Sequence, residues 1–199
     1  MDASRRGVFE SGAKTALDEH DVMVAALRPL APAIAEMAGI VADCLRDGGQ
    51  LLVCGNGGSA ADAQHIAAEF VGRFLKERRP WPALALHTNT SAVTAIGNDY
   101  GFEETFARQV LAHGHPGDVL WAITTSGSSP NVLRAVEAAR EAGMRVVGLS
   151  GGEGGPLASA CDVCVSVPHA STPRIQEGHI LVGHIVCGLV EDELCSETR

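Results

Sequence analysis

Residues 51–70, LLVCGNGGSAADAQHIAAEF, decide the fold. An apolar run, Leu51 to Cys54, breaks into Gly55-Asn56-Gly57-Gly58-Ser59, and a helical pattern begins at once. A strand that turns through glycines into a helix start presents backbone N–H groups and a positive dipole end to an anion. His65 and Glu69 follow on that helix, four residues apart and so on one face. Ser59 reads as the helix N-cap, with Asp62 three residues on completing a capping-box-like pattern. The glycines also fit the G-x-G-x-x-G/A dinucleotide fingerprint, but that motif needs an acid after the second strand for the ribose. Here the second strand ends Leu86-His87-Thr88-Asn89, and no lysine follows the glycines as a Walker motif requires. No nucleotide cofactor is expected.

Outward from this stretch the chain alternates strand and helix. Short apolar runs bounded by turn residues predict strands at 51–54, 83–87, 118–123, 145–149 and 162–167. Helical patterns lie between them near 60–75, 90–97, 102–112, 130–142 and 156–160, and a last helix spans about 173–195. Runs that are apolar throughout, such as Val119-Leu120-Trp121-Ala122-Ile123, suit a parallel sheet covered on both faces. The fold class is therefore α/β, a doubly wound five-stranded parallel sheet of flavodoxin-like type. Ahead of it, 8–30 and 33–47 read as a helical pair parted by Pro29 and Pro32 and closed by Asp47-Gly48-Gly49. The pair carries no chemical motif, so residues 1–48 are assigned to packing, on the sheet or between subunits.

The chain of 199 residues fits one domain, and 46% hydrophobic with 20% charged residues is an ordinary globular balance. A net charge of −9 and 4% aromatics argue against nucleic-acid and anionic-membrane partners. No apolar h-region follows Arg5 and Arg6, and the longest apolar run falls short of a membrane span. Of six cysteines, Cys44, Cys54, Cys164 and Cys187 lie in strands or on helix faces, as small buried hydrophobes do. Cys161-Asp-Val-Cys164 has redox or zinc spacing but no second pair, and reads as structural. A reducing cytoplasm fits best.

In sheets of this kind ligands bind at the carboxyl ends of the strands. The loops there, Gly55–Ser59, His87–Ser91, Thr124-Thr125-Ser126-Gly127-Ser128-Ser129 and Gly151–Gly155, are rich in hydroxyls and poor in Lys and Arg. That composition suits a neutral polyol bearing one phosphate. Pro130 fits the first turn of the following helix. The last helix carries Gln176, Glu177, His179 and His184 among apolar residues on most of its circumference. Gln176 and His184 lie roughly 80° apart around it, and His179 falls on the other side of Gln176. Helical geometry alone does not say which histidine is functional.

Four segments then carry a family likeness: Gly55 to Glu69, Ile96-Gly-Asn98-Asp99-Tyr-Gly101, Thr124 to Ser129, and Arg174-Ile-Gln176-Glu-Gly-His179-Ile. Together they resemble the sugar isomerase (SIS) family, in its phosphoheptose isomerase branch, over nearly the whole chain. The resemblance implies conversion of sedoheptulose 7-phosphate to D-glycero-D-manno-heptose 7-phosphate, by a homotetramer with active sites at subunit interfaces. It implies phosphate contacts from Ser59, Thr124, Ser126 and Ser129, with Thr125 also at the substrate. Sugar hydroxyls would meet Asn56, Gly57, Gly58, Asn98 and Asp99, with Gln176 and Glu69 also at the substrate. Glu69 and His184 would be catalytic, and a zinc ion would sit on His65, Glu69, Gln176 and His184. Thr124 stands where relatives commonly have serine, so its methyl crowds the phosphate; Pro173 replaces a residue that is acidic in some members. Two other readings remain: a non-catalytic scaffold of the DnaA initiator-associating type, and an isomerase of another sugar phosphate.

Overall fold

Five parallel strands form one sheet in the order β2-β1-β3-β4-β5 in a computed structural model that describes residues 2–196. They are β1 (Leu51–Gly55), β2 (Ala83–Ala85), β3 (Val119–Ile123), β4 (Arg145–Gly151) and β5 (Val163–Val167). The helices are α1 (Ala3–Leu27), α2 (Ala31–Arg46), α3 (Gly58–Val71), α4 (Thr90–Tyr100), α5 (Ala107–His113), α6 (Pro130–Glu141), α7 (Gly155–Ala160) and α8 (Thr172–Ser196). Burial explains why the apolar strands read so clearly. Alternate residues feed two cores: Leu51, Val53 and Trp121 on one face, Leu52, Cys54 and Leu120 on the other. Helices α2, α3 and α8 cover the first face; α5, α6 and α7 cover the second.

The expected doubly wound α/β architecture is present, with differences at element ends. A 3₁₀ turn that contains Pro29, Arg28–Leu30, separates α1 from α2, while Pro32 lies in the first turn of α2 rather than between the helices. That helical stretch, Ser4–Arg46, is long and apolar enough by composition to cross a membrane. Its α2 half instead buries Ile34, Met37, Val41 and Leu45 in the first core, which accounts for the apolar character. Helix α3 stops at Val71 rather than near 75. The 102–112 helix divides into a 3₁₀ turn, Phe102–Glu104, and α5. Cys44, Cys54 and Cys187 are buried as expected, whereas Cys164 is only partly so.

This strand order reverses direction between β1 and β3, the switch point where α/β sheets bind ligands. The loops Gly55–Gly58 and Thr124–Ser129 open there side by side, because Gly55 pairs with Ile123 in the register. Close packing of α3 on α8 follows from a missing side chain. A Cβ on Gly183 would stand 2.9 Å from Ile66 Cδ1, so only glycine lets the helices approach this near. His65 and His184 are the chain neighbours of those two residues.

Candidate active site

The first part of the site is a cradle of hydroxyls. Thr124 Oγ1 lies 2.7 Å from Ser129 Oγ and 3.2 Å from Ser126 Oγ, and Ser126 Oγ accepts from the Ser128 N–H at 3.2 Å. Ser129 is the N-cap residue of α6, with Pro130 at the first helical position, so the helix dipole points into the cradle. The turn depends on Gly127, whose φ is +68° and whose Cβ would meet the Gly154 carbonyl oxygen at 2.1 Å.

Opposite it, the loop after β1 differs from the sequence reading. Gly57, at φ 55° and ψ −120°, is the N-cap position of α3, and no side chain caps it. Ser59 is therefore not the cap; it lies within the first turn, buried. Nor does Asp62 complete a capping box: it is buried, one carboxylate oxygen lacks a partner, and the other interaction runs to Gln176. Burial pushes the Asp62 carboxyl up to about 6, against the pull of the Gln176 hydrogen bond and of His65. Gln176 reaches over the helix start, where a Cβ on Gly58 would stand 2.3 Å from its Nε2.

Asn56 and Asn131 join the two loops through reciprocal amide hydrogen bonds of 2.8 and 2.9 Å. Asn131, in the first turn of α6, was not among the residues picked from sequence. A polar residue directly after Ser129-Pro130 is the one signal that pointed to it.

The second part is a cluster across α3 and α8. His65 Nε2 lies 3.2 Å from Glu69 Oε1 and 3.0 Å from His184 Nε2. The two imidazoles meet edge to face, and Phe74 stacks on the other side of His184 with ring centroids 5.4 Å apart. The two histidines of the last helix differ in burial. His179 is fully buried and bonds the Ser150 carbonyl at 2.8 Å, and burial lowers its pKa. It is a core histidine, whereas His184 faces the cluster.

One ligand atom from each of His65, Glu69 and His184 falls within 4.8 Å of the others. Two imidazoles and a carboxylate, with one side open, are a donor set that suits catalytic zinc. The 3.0 and 3.2 Å separations are close to the spacing of neighbouring ligands around a small tetrahedral ion. Gln176 is held at Gly58 and Asp62 instead. Asn98 and Asp99 sit exposed at the end of α4, hydrogen-bonded to each other at 2.8 Å.

The hydroxyl cradle lies at the switch point of a parallel α/β sheet, and the His/Glu/His cluster lies across α3 and α8. The family model described as SIS domain matches residues 18–151, and the chain belongs to that family. Within it the chain falls among the phosphoheptose isomerases, which are aldose–ketose isomerases of phosphosugars. It is 64% identical over 166 residues to the phosphoheptose isomerase of Rhodospirillum rubrum, covering 83% of this chain and 88% of that one. The structure of the Neisseria gonorrhoeae phosphoheptose isomerase superposes with a TM-score of 0.87 at 44% identity, covering 92% of this chain and 99% of that one. That of the Francisella tularensis phosphoheptose isomerase gives 0.81 at 39% identity, covering 96% and 100%.

Proposed function

We propose that the chain converts sedoheptulose 7-phosphate to D-glycero-D-manno-heptose 7-phosphate, for heptose biosynthesis. The observation that carries the reading is the meeting of Glu69 and His184 around His65, in a fold that also carries a hydroxyl cradle at its switch point. A scaffold protein needs neither a carboxylate nor an imidazole there, so the non-catalytic alternative is not favoured.

The phosphate is held by Thr124, Thr125, Ser126 and Ser129 at the α6 N-terminus, with Ser59 assisting from α3. Hydroxyls and helix N–H groups without Lys or Arg suit one phosphate on a neutral sugar. Asn56, Gly57, Gly58, Asn98, Asp99 and Gln176 hold the sugar chain. Glu69 takes a proton from C1 of the ketose and returns it to C2 of the enediol. His184 moves the accompanying proton from the C1 oxygen to the C2 oxygen, so atoms and charge balance. His65, Glu69 and His184 would hold zinc, one ion per subunit, while Gln176 stays with Gly58 and Asp62. When bound, the ion supplies Lewis-acid polarisation of the substrate carbonyl.

Enediol chemistry needs water kept out. Yet the His65 side chain is 49% exposed, and Ile185 and Leu189 on α8, the first adjoining His184 in the chain, are exposed as well. A second subunit seated on this face would close the site. Val8, Phe9, Leu17 and Val22 on α1 are likewise open and apolar, supporting a role for residues 1–48 in oligomer packing. The assembly we infer is a homotetramer of single SIS domains, spanning 1–199, with active sites at subunit interfaces. Net charge −9 supports the absence of nucleic-acid and membrane partners, and six unbridged cysteines support a cytoplasmic location.

Turnover of Glu69→Gln and His184→Ala proteins tests the assignment across C5 to C7 ketose phosphates. The expected result is loss of turnover in both, with the C7 substrate preferred in the parent. Near-normal rates in both variants would overturn it. Light scattering on the purified protein tests the tetramer.

A further inference from the structure

We propose that the buried Arg78–Glu191 pair is the positioning device for the two proton-transfer residues, fixing Glu69 through its backbone and His184 through Phe74. This rests on the isomerase reading above.

Both side chains are almost wholly out of water, Arg78 at 4% and Glu191 at 2% exposure, with Nε to Oε1 at 2.9 Å. The guanidinium acts as a C-terminal cap for α3. Its Nη2 donates to the Glu69 carbonyl at 2.7 Å and its Nη1 to the Phe70 carbonyl at 2.9 Å, carbonyls without a partner inside the helix, the second shared with the Trp81 N–H at 3.0 Å. Its Cζ lies over the Trp81 ring, 3.7 Å from the ring centroid. The backbone that carries the Glu69 carboxylate is therefore tied directly to Arg78.

Glu191 serves the other residue. It lies on α8 seven residues beyond His184, two helical turns along the same face. Its carboxylate accepts the backbone N–H groups of Phe74, Leu75 and Lys76 at 2.8, 2.7 and 2.9 Å. That clamp holds the chain leaving α3 against α8, and Phe74 is the residue whose ring stacks on His184. One ion pair thus sets both ends of the Glu69–His65–His184 cluster relative to each other.

Stability alone is a weak reason for such a pair, because buried ion pairs are often replaceable by apolar residues at little cost. Lysine at 78 would keep the charge but could not span the Glu69 and Phe70 carbonyls and Glu191 together. Misplacement of reacting groups by about 1 Å can cost about 100-fold in rate.

The test compares kcat, KM and melting temperature of Arg78→Lys and Glu191→Gln with the parent, on sedoheptulose 7-phosphate. We expect folded proteins with KM nearly unchanged and kcat lowered about 10–100-fold. Guanidinium ions added to Arg78→Ala should restore part of kcat. Parent-level kcat in the folded variants overturns the inference, as does a loss of kcat that only follows a loss of folded protein on heating. If neither variant folds, Phe74→Leu decides: kcat at the parent level overturns the His184 arm. Retained turnover in Glu69→Gln and His184→Ala would instead sink the isomerase assignment itself, so the two failures are distinguishable.

Discussion

Asn56 and Asn131 exchange two amide hydrogen bonds, 2.8 and 2.9 Å long, across the mouth between the loops after β1 and β3. Neither loop has a Lys or Arg to hold the other, and the amide pair bridges them. Asn131 is 2% exposed, so its loss leaves the Asn56 amide without its partner in a half-buried place. Asn131→Ala should therefore cost about 1–3 kcal/mol in stability. It should also raise KM for the sugar phosphate more than it lowers kcat. Chemical denaturation and steady-state kinetics on one preparation check both.

Two glycines separate backbone need from side-chain need. At Gly127 an added methyl meets the Gly154 carbonyl at 2.1 Å in a backbone of φ +68°. Gly127→Ala should distort the hydroxyl cradle and cost about 1–3 kcal/mol from backbone strain alone. At Gly58 the methyl meets only the end of the Gln176 side chain, at 2.3–2.5 Å. Gly58→Ala should keep its melting temperature, because Gln176 can swing away, while its turnover falls. Thermal unfolding should thus separate the two variants, whereas initial rates should fall in both.

The strands were legible as apolar runs between turn residues; β1, β3 and nearly all of β4 are buried on both faces, whereas β5 alternates and the edge strand β2 is partly open. Ser59 misled because S-x-x-D looks like a capping box. The actual start depends on Gly57 at φ 55°, a conformation that only the backbone reveals. The His65–Glu69 pair was visible as an i, i+4 spacing, but His184 arrives from 119 residues away. Arg78 and Glu191 are 113 apart, and Asn56 and Asn131 are 75 apart. Partners so distant leave no local mark in sequence. On its own, Arg78 reads as one of several charges in a loop, and Glu191 as an acid near a helix end.

The His65–Glu69–His184 set makes a metal prediction. The native protein should carry about one zinc per chain. Thorough chelation should lower turnover and added zinc should restore it. His65→Ala should lower zinc content without unfolding the chain, since that side chain is half exposed and serves no core contact. Elemental analysis beside activity checks this, and zinc-free native protein with full activity would remove the ion from the mechanism. Added zinc should also raise the melting temperature of chelated protein, because a ligand that binds only the folded state stabilises it by mass action.

Glu191 should shape the acid limb of stability. Burial by itself would raise its pKa, but the N–H groups of Leu75, Phe74 and Lys76, with Arg78, outweigh that and hold it below the ordinary 4.5. A carboxyl whose pKa is lower folded than unfolded binds fewer protons in the folded state, so its stabilisation is complete above the unfolded value. It is lost as pH falls below 4.5 and through the depressed folded value. Asp162, whose pKa is also lowered, contributes in the same direction, so the parent should lose stability on acidification for more than one reason. The informative comparison is with Glu191→Gln. That variant should start less stable at neutral pH, because an amide cannot accept from all the donors clamped on the carboxylate, and its stability should fall less steeply below pH 4.5. Denaturant midpoints of both proteins, measured from neutral pH down to the acid transition, check this. Parallel curves would show that Glu191 does not carry a folded-state shift.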